Sequence, residues 1–205
     1  MPNWCITSYA FKGDKNEIKD FYDKIKSFTS KERIPNNFGD YWLGNIVDGF
    51  GFDWKEIPCR GYIDYFPESY DNNNPDRLEL STETAWEPMT EMWDKIIEKY
   101  YPSITYVLIA EECGMGIYIN TDLTGEDFST RFFVDFKLPL KYVPLCDDGF
   151  YADCEEELVE TFNSIFHRKY KSYKQCKKRL SKEFKKKEYR DKGYFLIIHK
   201  YEEAI

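Results

Sequence analysis

Histidine is almost missing from this chain: His167 and His199 are the only two in 205 residues. Two isolated imidazoles furnish neither a histidine-rich metal site nor a His-centred triad, so most hydrolytic chemistry would fall to carboxylates, Lys or Tyr. No C-x-x-C pair occurs. The six cysteines, Cys5, Cys59, Cys113, Cys146, Cys154 and Cys176, lie far apart, and they read as buried, reduced thiols rather than as a zinc set or a disulfide framework. No metal and no cofactor is therefore expected. There is no Gly-Lys-Ser/Thr phosphate loop, and Gly114-Met115-Gly116 lacks the third glycine and following helix of a dinucleotide loop, so a tight strand connection explains it better. The longest apolar run, around Tyr106 to Ala110, is far too short to cross a bilayer. Nor does the start show the basic region, apolar core and small-residue cleavage site of a secretory leader, so the expected location is the cytoplasm, without membrane attachment.

What the chain has in abundance is rings. With 17 Tyr, 16 Phe and 5 Trp, aromatics make up 19% of the residues, which predicts an interior filled by large rings and several half-exposed tyrosines. The length suits a single domain with a core of its own.

Apolar alternation from Trp4 to Phe11 predicts a first strand. In DKNEIKDFYDKIKSF, Ile18, Phe21, Tyr22, Ile25 and Phe28 recur at threes and fours, an amphipathic helix capped by Asp14 with Glu17 three residues on, as in a capping box. Residues 35 to 58 form an irregular excursion holding Trp42 and Trp54, with a helical turn expected over Trp42 to Asp48; a connection this long packs as its own unit or serves binding. GYIDYF and DRLELSTETAW alternate with period two around the turn-rich ESYDNNNP, a hairpin. EPMTEMWDKIIEKYY is a second helix, and SITYVLIAEE, GIYINTDL and RFFVDF are three further strands. The first six regular elements follow the order of a ferredoxin-like sandwich, an antiparallel sheet with helices on one face, which the extra strands would extend. From Asp153 onward, Leu158, Phe162, Phe166, Tyr170, Tyr173, Cys176, Leu180 and Phe184 predict one long helix, followed by the closing strand YFLIIHKY. The expectation is a single α+β domain over 1–205, with a core over 1–136 and the helix and final strand over 137–205.

Charge is unevenly placed. Residues 168 to 192 carry 13 Lys/Arg against 3 Asp/Glu, leaving 16 against 34 elsewhere. A basic helix with interleaved rings suits a nucleic-acid backbone, and Lys177, Lys178, Lys185 and Lys186 are its candidate contacts. The competing reading has the rings facing the sheet and the lysines solvated, with acids first and lysines last as the helix dipole favours. The acidic remainder also suits a decoy that imitates a phosphate array, which needs no catalytic residue. Glu111 and Glu112, near Asp122 and Asp127, are candidate paired carboxylates for metal or acid-base work, and beside hairpin turns they read first as solvated. Trp42, Trp54 and Trp86 could form an aromatic floor for a ligand, or simply hold the core together.

MPNWC at the start, then YWLGNIVDGFGFDW, ELSTETAWEPMTEMWDKI and YPSITY in that order, resemble the YubB-type ferredoxin-like family carried by phages, plasmids and other bacterial mobile elements. The likeness spans about residues 1 to 136. It departs at Gly49-Phe50-Gly51-Phe52-Asp53-Trp54, where many members have Asn-Trp-Gly-Thr-Lys-Trp, so no ligand preference residing in that loop transfers. The resemblance implies a ferredoxin-like fold without iron-sulfur clusters, a bacterial or phage setting, and no accepted catalytic residues. Together these readings point to a non-enzymatic binding protein engaging a host protein or nucleic acid. The alternatives are a carboxylate- or metal-dependent enzyme acting on a nucleotide or nucleic acid, and an assembly component.

Overall fold

A computed structural model describes residues 3–142 and 149–203. Met1, Pro2 and Cys146 lie outside the described residues. The fold is mixed α+β with antiparallel sheets, and it divides into two compact units, residues 1–122 and 123–205. The boundary falls earlier than residue 136 because the strand 132–137, expected to extend the first sheet, pairs within a second one.

Unit 1 runs β1 (Trp4–Lys12), α1 (Lys15–Phe28), α2 (Leu43–Gly49), β2 (Gly61–Tyr65), β3 (Arg77–Ala85), α3 (Thr90–Tyr100), β4 (Thr105–Glu112) and β5 (Ile117–Asn120). Its strands form one antiparallel sheet in the order β2-β3-β1-β4-β5. Cys5, Thr7, Tyr9 and Phe11 alternate onto one face of β1 and are all at most 1% exposed. There they meet Ile18, Phe21 and Ile25 of α1 and Met92, Trp93 and Ile96 of α3. Phe11 touches Phe21 at 5.2 Å and Trp93 at 5.4 Å, in edge-on contacts that aromatic quadrupoles favour. Asp14 caps α1 by accepting from the Asn16 and Glu17 N–H groups. The expected reciprocal half of a capping box is replaced: Glu17 accepts from Ser103, whose hydroxyl in turn accepts from the Asp14 N–H.

Unit 2 runs β6 (Phe132–Lys137), β7 (Gly149–Ala152), α4 (Glu155–Phe166), α5 (Tyr173–Phe184), α6 (Lys187–Arg190) and β8 (Phe195–Lys200), with strand order β7-β6-β8. The single long helix expected here is three. His167 ends α4 in the left-handed conformation at φ 50°, with its N–H donating back into the last turn. Asn163 then fixes the connection, donating to the Tyr170 carbonyl at 3.1 Å and accepting from the Tyr170 N–H at 2.6 Å. Ser172 caps α5 through the Gln175 N–H. The apolar period continues across the break because Phe166, Tyr170, Cys176, Leu180 and Phe184 all enter the same core.

Among the five described cysteines, all free, Cys5, Cys59 and Cys176 are buried as expected, whereas Cys113, in the β4–β5 turn, and Cys154, capping α4, are exposed. No helix among the described residues is long and apolar enough to cross a membrane.

Candidate functional site

Strand pairing brings the chain's start to the end of β3. Trp4 lies opposite Ala85 and Cys5 opposite Thr84, and the Trp86 N–H donates to the Asn3 carbonyl at 2.9 Å. Successive strand residues point to opposite faces, so Cys5 enters the helix-covered core while Trp4 stands on the other face, 37% exposed. Burial, the largest influence on it, pushes the Cys5 thiol up to about 11 and keeps it neutral.

The 35–58 excursion folds onto the neighbouring edge. Asn45, fully buried in α2, accepts from the Arg33 and Ile34 N–H groups and donates to the Gly39 and Asp40 carbonyls, tying the loop down. Trp42 bridges antiparallel to Tyr62 of β2, and the Ile63 N–H reaches the Tyr41 carbonyl at 2.9 Å. The Trp42 ring lies over Gly44, where a Cβ would come within 2.2 Å of it, so this position requires glycine for packing. Trp42 meets Trp54 at 5.2 Å and Phe38 at 5.0 Å, and Trp4 meets Tyr62 at 6.2 Å.

These rings enclose a cavity of about 540 Å³, within the roughly 300–1,000 Å³ typical of ligand sites. Phe38, Trp4 and Tyr62 remain at least partly exposed on it, whereas Trp42 is 5% exposed. Cys59 adds a wall that burial keeps neutral, its thiol pushed up to about 11. Among the described residues Arg60 is the single charged one lining the cavity, and its guanidinium lies 4.7 Å from the centre of the Trp86 ring. Trp86 itself holds φ 72°, a left-handed conformation that costs a bulky residue of the order of 1–3 kcal/mol. Trp86 is nonetheless 43% exposed.

Of the sequence-predicted aromatic floor, Trp42 and Trp54 line the cavity and Trp86 adjoins it through Arg60. Trp4, Phe38, Arg60 and Tyr62 were not among the predicted site residues. The alternation of GYIDYF and the position of Trp4 at a strand start were their only local signals, and neither says which strand lies beside which. Lys177, Lys178, Lys185 and Lys186 belong to unit 2, all exposed on α5 and its C-terminal end, with Cys176, Leu180 and Phe184 buried between them. Lys177 lies 5.3 Å from the Tyr173 ring and Lys186 is 3.8 Å from Glu188.

Two of the carboxylate candidates, Glu111 and Glu112, are turned apart. Glu111 pairs with Tyr118 and Glu112 with Ile117, adjacent positions of one strand that face opposite sides of the sheet. Glu112 is 4% exposed and accepts from the Gly114 and Met115 N–H groups, which holds the β4–β5 turn. No group of three or more His, Cys, Asp or Glu that could hold a metal occurs among the described residues. A second cavity of unit 1, about 400 Å³ and lined in part by Tyr70, Asp71 and Asn74, has polar walls engaged in their own turn: Asp71 accepts from Asn73 and Asn74.

No protein-family model matches the chain, and comparison with curated proteins and with solved structures returns no match.

Proposed function

We propose that the protein is a non-enzymatic, cytoplasmic binding protein of a phage or other mobile element, and that it engages a host protein through the aromatic cavity of unit 1. The observation that carries the binding role is the convergence of Trp4, Phe38, Trp42, Trp54 and Tyr62 on one open cavity from segments far apart in sequence. Trp, Tyr and Arg are the residues that most often carry binding energy at protein interfaces. In this reading unit 1 is a ferredoxin-like domain, supported by its element order and by the central strand order β2-β3-β1-β4. The mobile-element setting rests on the MPNWC and Thr84-Ala85-Trp86 resemblance, two motifs that are paired across β1 and β3.

Capture from a bacterial lysate with wild-type protein and with Trp54→Ala tests the reading. A stoichiometric polypeptide retained at moderate salt by the wild type alone is the expected result. Equal retention by both proteins would remove the cavity from the account.

A second reading, nucleic-acid binding, is favoured by the exposure of Lys177, Lys178, Lys185 and Lys186. Reversing those four charges to Glu would then abolish oligonucleotide binding and flatten its salt dependence. On the first reading the same change leaves partner capture intact and shifts stability by no more than about 0.5 kcal/mol per site.

A further inference from the structure

The two charges placed against the rings of this site are both positive. Arg60 belongs to the cavity lining, with its guanidinium 4.7 Å from the centre of the Trp86 ring, and the Lys55 ammonium lies 5.5 Å from the centre of the Trp54 ring. Both residues are exposed, and among the described residues neither is in an ion pair with a carboxylate. Unit 1 does not lack partners for them: residues 1–122 hold 22 Asp/Glu for 12 Lys/Arg, and Lys19, Lys24, Arg33, Arg77 and Lys95 each pair with a carboxylate. Apart from Arg60, the described lining consists of rings, aliphatic groups and the Cys59 thiol. An occupant that complements it brings an apolar group for the rings and an anionic oxygen for the cations. Contact with an indole leaves N–H groups of the guanidinium for such an oxygen, and their fork matches a carboxylate. The acid excess of unit 1 limits how many negative charges that occupant carries. A long polyphosphate would extend past the two cations over a unit of net negative charge, whereas a polypeptide can present one or two carboxylates beside a single apolar side chain.

We propose that the cavity docks an acidic segment of a protein partner. An aromatic or large aliphatic side chain enters beside Trp4, Trp54 and Tyr62, and an adjacent Asp or Glu accepts from the Arg60 guanidinium. Lys55, against Trp54, pairs with a second acid of the segment. This rests on the binding-protein reading and adds the chemistry of the partner.

The test is selection of random dodecapeptides displayed on phage against the full-length protein, followed by titration of the leading peptide. Wild type, Trp54→Ala and Arg60→Glu are compared, the last because an exposed side chain is replaced with little risk to folding; circular dichroism melts verify that each variant is folded. Enriched peptides carry an aromatic or large aliphatic anchor next to Asp or Glu. Their affinity falls by about tenfold or more in each folded variant, the size of a hot-spot loss, and weakens as salt rises. Replacing the peptide's acids with Lys abolishes binding to wild type and restores it to Arg60→Glu. Enrichment of basic or anchorless peptides, or equal binding by wild type and Arg60→Glu, overturns the proposal while leaving a binding role for the cavity. A single-stranded oligonucleotide pool and indole-3-acetate are titrated in parallel: if either binds in a manner that depends on Trp54 and Arg60 while no peptide is enriched, the acidic segment is overturned in favour of nucleic acid or of a small carboxylate. If no probe binds, this inference falls, and lysate capture that is lost in Trp54→Ala still upholds the binding-protein reading.

Discussion

Trp93 and Trp54 stand in two parts of one continuous core, built from the same residue types and finished differently. Around Trp93, the rings of Tyr9, Phe11 and Phe21 lie 5.4 to 6.0 Å away, and none of the four residues is more than 1% exposed. Around Trp54, Trp42 is buried but Phe38 is 49% exposed and Trp4 37%. The first cluster lies between two helices and the sheet, so every ring surface meets another. The second lies where the 35–58 loop meets β2 and the end of β1, and there a cavity remains. Aromatic richness is therefore no single signal: between helices and sheet it makes core, and under a loop it leaves a cavity.

The comparison breaks most directly at the tryptophans. Trp93→Ala is expected to cost about 3–5 kcal/mol in urea unfolding, the range for emptying a buried aromatic site. Trp54→Ala, at a partly exposed position, should cost about 2 kcal/mol or less; equal losses would mean that both clusters are core. Gly44→Ala pushes a methyl group into the Trp42 ring and should cost about 1–3 kcal/mol, reduced by the better helix propensity of Ala. Retained stability with weakened peptide binding would sharpen the contrast further, by showing that the ring moved into the cavity.

Tyr9→Phe probes the closed cluster in the other direction. Tyr9 Oη, Thr82 Oγ1 and Trp93 Nε1 are buried and meet no partner at full hydrogen-bond geometry, although Thr82 and Trp93 lie near enough to act weakly on the Tyr9 hydroxyl, so removing the hydroxyl should leave stability unchanged or raise it by up to about 1 kcal/mol. A clear loss in the same unfolding assay would show that the hydroxyl is hydrogen-bonded after all.

Unit 2 closes its ring-rich core around a polar hub that unit 1's open cluster lacks. Burial raises the Glu183 pKa, but Arg168 at 2.7 Å and the Tyr142 and Tyr189 hydroxyls outweigh it, and the net shift is downward. A depressed carboxylate contributes stability that is complete above its unfolded pKa, about 4.3, and is lost as pH falls through the lower folded value. Glu183→Gln should therefore flatten the acid limb of the stability curve; an unchanged limb would exclude Glu183 as its source.

Local pattern made β1, α1, the β2–β3 hairpin and α3 legible, because each has an apolar period and a recognisable stop, such as Gly13 or Pro102. The break between α4 and α5 was hidden: His167 adopts a left-handed conformation without a glycine to announce it, and the apolar spacing runs on through the connection. The second sheet was equally hidden, since β6 pairs with β8 across some 60 residues and nothing local specifies the partner. The tryptophans of the candidate site could be named singly. Their meeting depends on Trp4 opposing Ala85 and Trp42 bridging Tyr62, both facts of register rather than of composition.

The most direct test of an open cluster beside a closed one is the indole N–H region of an ¹⁵N-correlated spectrum, recorded as the selected peptide is added. The account predicts that the Trp4, Trp54 and Trp86 signals move together, with a saturable dose dependence, while the Trp93 signal stays in place. Stationary Trp4 and Trp54 signals under saturating peptide would contradict it.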